Sequence, residues 1–236
     1  MRVRIRAAAV SDRLVTTADH LETSMPVLIR RALLAVPLAF AALTLFHSHR
    51  DPWDLGDGAS RWLTVHAIQS VLSVLLAYTV WSLLAGVRHP AATAARAAVP
   101  VFLVAFAAFD AVAGLATGWL ARTAQGQSGA QRAATDRAIE ELFTGNWLTG
   151  SLSVAGGVSA VAWLLIAVAG AVALRAAGAD RLTVACMATS AAFVNHPPPT
   201  GTVGLLALFA AALRWERHRR RAVAVQTGQP QVYGER

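Results

Sequence analysis

The chain has 236 residues, of which 56% are hydrophobic and only 14% charged, and its formal net charge is +8. A soluble domain is about one quarter charged, so this balance argues against a soluble globular protein and for one that sits in a membrane. There is a single cysteine, Cys186, which excludes an intramolecular disulfide and a thiolate metal cluster.

All 21 basic residues are arginine, a bias that, with so much alanine, suggests a high-GC bacterial genome. In a membrane protein the positive charge reads as arginine at the cytoplasmic rim facing anionic headgroups, and no nucleic-acid partner is needed to account for it.

Residues 1–26 mix arginines with acids and read as a cytoplasmic tail. The apolar run Val27 to Phe46 follows. Its long preceding tail, and the mid-run position of Ala39-Phe40-Ala41, make it a transmembrane helix rather than a cleaved signal peptide. A polar, acidic loop from His47 to Trp62 leads to a second span, Trp62 to Val87. The basic turn "RHPAATAAR" precedes a third, at about Ala97 to Ala121. A longer polar loop carries a surface helix over Ala130 to Phe143, and a fourth span covers about Leu148 to Leu174.

The last apolar region holds "NHPPPTG" at its centre. Read as a hairpin, it gives two short helices, Leu182 to Asn195 and Pro198 to Trp215. The cytoplasmic side then holds six arginines up to the start of the first helix (four in the tail, with Arg30 and Arg31), two in each of two turns and six at the C-terminus, 16 against 5 outside. Read as a single span it leaves 10 inside and 11 outside. The positive-inside rule selects the hairpin, and proline suits the first turn of the returning helix, where a missing N–H costs nothing.

The expectation is therefore an all-α integral bundle of the bacterial inner membrane. It has six membrane segments, four full spans plus a short C-terminal hairpin, and both termini are cytoplasmic. Residues 27–215 form the bundle and 216–236 a basic tail.

Four histidines gather at the outer side in this topology: His47 and His49 after the first helix, His66 one turn into the second, and His196 on the hairpin tip. With Asp51, Asp54 and Asp57 in the first loop, they are candidate ligands for a divalent metal or haem. Interfacial histidines bonded to helix ends are the plainer alternative. His66, Gln69, Ser70 and Ser73 fall at i, i+3, i+4 and i+7, one face that should turn inward.

Asp110 is the one acid well inside a span, about 16 Å from the outer end of its helix. It is a candidate proton carrier, cation ligand or catalytic base with His66, or else a protonated donor to Ser70 or Ser73. On its face lie Gly114, Thr117 and Gly118, a small-residue surface for close helix contact, which Ser153, Gly156, Gly157 and Ala160 of the fourth span would match. Trp53, Trp62, Trp119 and Trp147 read as an aromatic belt. No phosphate-binding glycine loop, zinc-protease, serine-hydrolase or haem-attachment motif occurs.

The stretches "HSHRDPW", "WLTVHAIQ", "FDAVAGLATGWL" and "NHPPPTGTVG", in that order, resemble an uncharacterised family of small multi-pass membrane proteins from high-GC bacteria, over about Leu33 to Glu216. The resemblance places histidine at His66 and His196 and aspartate at Asp110. Thr-Val after the hairpin glycine departs from its pattern, where a proline is expected nearby. It implies a membrane location and no activity.

Three functions follow as expectations. The first is a binding or channel-like protein holding a metal, haem or proton among His66, Gln69, Ser70, His196 and Asp110. The second is a membrane-embedded enzyme with Asp110 and His66 as acid and base. The third is an accessory subunit, or homo-oligomer, packed through its glycine faces.

Overall fold

The computed structural model describes residues 27–48, 50–148, 150 and 153–227, with the side chains of 27–31 and 222–227 excepted. The two terminal tails and His49 lie outside the described residues. The described chain is all-helical. Helix α1 is Val27–Thr44 and α2 is Ala59–Leu83. Helix α3, Pro90–Asp110, runs through a π turn, Ala111–Ala116, into α4, Thr117–Ala124. Helix α5 is Gly129–Glu140 and α6 is Val154–Ala176. Helix α7, Arg181–Thr189, ends in a 3₁₀ turn, Ser190–Val194, and α8 is Thr200–Thr227.

Three of these helical stretches are long and apolar enough to cross a membrane: Gly56–Leu83, Pro90–Ala124 and Val154–Ala176; Ala32–Thr44 and Arg181–Val194 are apolar but shorter. Their outward faces carry Ile68, Val71 and Val74 on α2, Val101 and Val104 on α3, and Val161, Val168 and Val172 on α6, all exposed. So much contiguous exposed apolar surface suits lipid and not water.

The columns α1, α2, α3–α4, α6, α7 and α8 each pack on the next, and α8 closes the ring onto α1. Side-chain bonds fix the alternating direction. Thr79 Oγ1 in late α2 donates to the Leu33 carbonyl in early α1 (3.0 Å), and Thr44 at the end of α1 meets Thr202 at the start of α8 (2.7 Å). Trp215 Nε1 in late α8 donates to the Leu83 carbonyl at the end of α2 (3.1 Å). Such bonds contribute about 0.6–2 kcal/mol each in a bilayer.

The "NHPPPTG" stretch turns the chain around. Asp180 at the start of α7 bonds Arg214 late in α8, while Phe193 at the end of the α7 column packs so close to Gly204 that a Cβ there would strike its backbone.

Two apolar clusters form. The large one fills the ring, with Phe102, Trp163 and Phe193 in mutual ring contact at 4.9–6.4 Å and Phe40 against Phe193 at 5.3 Å. The small one, Leu55, Ala59, Trp62, Ala121 and Ile139, caps one end, where the α4–α5 hairpin folds over the 3₁₀ turns Pro52–Asp54 and Gly56–Gly58.

Some boundaries differ from expectation. The third helix starts at Pro90 rather than Ala97, because His89 accepts the Ala91 amide as its cap and proline fits the first turn. The fourth starts at Val154 rather than Leu148, where Ser153 Oγ accepts the Gly156 amide (3.1 Å).

Candidate functional site

The polar groups collect at the junction of the two apolar clusters. Helix α2 brings His66, Gln69 and Ser70 to one face, and α3 presents Asp110 at its last residue before the π turn. His66 and Asp110 are 2% and 1% exposed, and His66 Nδ1 lies 2.6 Å from Asp110 Oδ1. Gln69 Nε2 donates to the same oxygen (3.0 Å), and Ser70 Oγ donates to Oδ2 (2.7 Å). Three side chains thus converge on one carboxylate, and with Nδ1–H of His66 donating to it, the Nε2 atom is the ring nitrogen left over. That Nε2 is buried and has no hydrogen-bond partner among the described residues. Ser73, expected beside the aspartate, instead donates to the Gln69 carbonyl within its own helix (2.8 Å).

Gly114 makes the pair geometrically possible. A methyl at that position would strike His66 Nδ1 and stand 2.6 Å from Asp110 Oδ1. The π turn widens the helix here by one residue, and Thr117 Oγ1 closes it by donating to the Val112 carbonyl (2.9 Å). Gly118 likewise admits Trp62 and Leu63. The small face on this helix therefore packs on α2. It does not meet the one expected to match it on α6, where Gly157 has nothing within 4 Å of a built Cβ. Trp62 is no belt residue: it is 4% exposed, donates Nε1 to the Gly114 carbonyl (3.0 Å), and lies 4.6 Å from the His66 ring. Trp119 and Trp147 are exposed as a belt requires.

Three of the four candidate histidines do come together. The His47 ring centroid is 5.2 Å from His66 and 5.5 Å from His196. His47 Nδ1 faces the Ser48 carbonyl at 2.9 Å and so must donate to it. His49 lies outside the described residues. Among the described residues, no three histidine, cysteine or acidic side chains converge as a metal ion requires. Asp51, Asp54 and Asp57 are exposed. The carboxylate that supports this cluster is Asp110.

His196, on the loop between the α7 column and α8, borders a cavity of about 500 Å³. Its walls are aromatic. Phe102, Phe106 and Phe109 recur at i, i+4 and i+7 on α3, faced by Trp163 and Phe193, while Ser153, Ser159, Asn195 and His196 supply the polar lining. Burial, with His47 and His66 adding to it, pushes His196 down to about 3, which keeps the imidazole neutral. His66 and Asp110 are not among the cavity walls; His47 touches both His66 and His196. Sequence reasoning missed this cavity, although the Phe102, Phe106, Phe109 stripe was a legible signal for it.

The fold and site define a class: an all-helical, membrane-type bundle with a buried imidazole–carboxylate pair beside an aromatic cavity. No family model, curated protein or solved structure matches the chain, so its function is argued from these residues alone.

Proposed function

We propose that this chain is an integral protein of the bacterial inner membrane whose His66–Asp110 pair takes up and releases a proton. The observation that carries the reading is the 2.6 Å His66 Nδ1–Asp110 contact beside a buried His66 Nε2 that has no partner among the described residues. A carboxylate holding Nδ1–H leaves Nε2 as the site of proton uptake. Of the metal, haem or proton expected from the sequence, this geometry favours the proton, because the carboxylate and one ring nitrogen are already committed to each other. In this reading the six columns are six membrane segments with both termini cytoplasmic. The 16 to 5 arginine distribution and the alternating helix directions support that arrangement.

The test is ¹⁵N-histidine NMR on the protein in nanodiscs across a pH series. Wild type should show one imidazole in the Nδ1–H tautomer that gains its proton at Nε2, and Asp110→Asn should shift both its tautomer balance and its titration. If no imidazole signal responds to Asp110→Asn, the proton reading is wrong.

A membrane-embedded enzyme with Asp110 and His66 as acid and base is the second reading, favoured by the aromatic cavity at His196. Any substrate there would reach His66 through His47. The accessory-subunit reading loses its glycine surface on the π turn and α4, since Gly114 and Gly118 are already covered by α2.

A further inference from the structure

At the end of the bundle away from His66, the α2–α3 turn closes two adjoining depressions of about 440 and 290 Å³, which share Gly86, Val87, Arg88 and His89. Arg219 of α8 lines the larger and Arg96 of α3 the smaller, and among the described residues no carboxylate lines either. Arg96 is held in place: Nη1 donates to the Leu84 carbonyl at 3.1 Å, which leaves its other N–H groups to donate elsewhere. His89 Nδ1 accepts the Ala91 amide, so its hydrogen sits on Nε2, a further donor. The α3 N-terminus opens at Pro90 in the same wall, adding the positive end of a helix dipole.

A third depression, about 520 Å³, is an apolar groove between α3 and α6 lined by Ala94, Ala97 and Val101 on one side and Val158, Val161 and Leu165 on the other. Thr93 of the basic pocket and Ala97 of the groove are one helical turn apart, so the groove begins where the basic pocket ends. From Ala94 to Val101 it runs about 10 Å along the helix.

The geometry points to a seat for one anionic phospholipid: its phosphate held by Arg88 and Arg96 at the α2–α3 turn, with Arg219 on the flank, and one acyl chain in the α3–α6 groove. Guanidinium groups bind phosphate by paired, charge-assisted hydrogen bonds, and basic pockets at helix ends are where anionic headgroups settle in membrane proteins. A charge cluster without the groove would suit any anion; the groove selects one that carries a hydrocarbon chain. This inference rests on the membrane reading and is independent of the proton reading.

The experiment is native mass spectrometry of the full chain in mild non-ionic detergent. It is titrated with phosphatidylglycerol, phosphatidylcholine of the same chains, or glycerol phosphate. The variants are Arg88→Gln and Ala97→Trp, both at exposed positions, with thermal unfolding as a folding control. Expected are one tightly retained phosphatidylglycerol and at least tenfold weaker phosphatidylcholine. Arg88→Gln should weaken phosphatidylglycerol by about fivefold, the effect of one arginine near an anionic headgroup. Ala97→Trp should weaken the lipid and leave glycerol phosphate unchanged. Equal retention of the two lipids, or indifference to Arg88→Gln, overturns the proposal. Glycerol phosphate binding as tightly as the lipid would make this a free-phosphate site, and lipid retention unchanged in Ala97→Trp would make it a surface charge patch; either overturns the seat.

Discussion

Asp110 and Gly114 sit one helical turn apart and have to be considered together. The carboxylate has three side-chain donors, and the glycine is the space that lets one of them, the imidazole, arrive. Adding a methyl at Gly114 forces either the His66 ring or the helix backbone to move, and overpacking of this kind costs about 1–3 kcal/mol. Gly114→Ala should therefore lower the unfolding temperature in detergent and disturb the His66 signals, while Gly157→Ala, which meets open space, should leave the temperature unchanged or raise it. Equal effects of the two would mean that Gly114 is not what shapes the pair. The sequence grouped Asp110 with His66, Gln69 and Ser70 as one candidate cavity and set Gly114 apart in a small-residue face. It did not reveal that Gly114 is what admits His66 to Asp110, because a face on one helix says nothing about which residues of another helix stand opposite.

At the scale of elements, the hairpin is held at its open end by Asp180. Its Oδ1 accepts the Leu182 and Thr183 amides (both 3.0 Å), Oδ2 accepts the Thr183 hydroxyl (2.8 Å), and Arg214 of α8 reaches Oδ1 at 3.0 Å. The Thr183 hydroxyl and amide, with Arg214, hold its carboxyl well below the usual carboxylate range. A folded-state value below the unfolded one stabilises the fold above the ordinary carboxylate pKa, near 4, and that contribution is lost as pH falls through the lowered value. The hairpin should thus be firmest at neutral pH and loosen on acidification. Asp180→Asn should be weaker at neutral pH and lack that acid limb, read as hydrogen-exchange protection in α7 and early α8 from pH 7 to 3. An identical pH profile for wild type and variant would count against the assignment. The proline-rich turn was legible from arginine distribution and proline chemistry; the Asp180 cap that anchors the hairpin's other end, and its Arg214 partner, were not read from the sequence.

Over the whole molecule, apolar side chains both fill the ring and point outward along α2, α3 and α6, while the buried His66, Gln69 and Asp110 lie beneath a small helical cap. If the alternating columns are membrane segments with both ends cytoplasmic, a reporter fused at the C-terminus should be active only in its cytoplasmic form, and one fused in the 125–128 loop only in its exported form. The reverse pattern at either site would overturn the topology. Composition, apolar run length and arginine placement determined by themselves that this is a helical, membrane-type protein and roughly where its helices lie, because each reports on one segment at a time. The tertiary structure decided the rest: that the small-residue face meets α2 and not α6, that Trp62 covers His66 instead of facing lipid, that three histidines adjoin, and that an aromatic cavity opens at His196. Those are facts about which surfaces oppose each other, and contacts across helices 40 to 160 residues apart are set by packing, which no local pattern in the chain encodes.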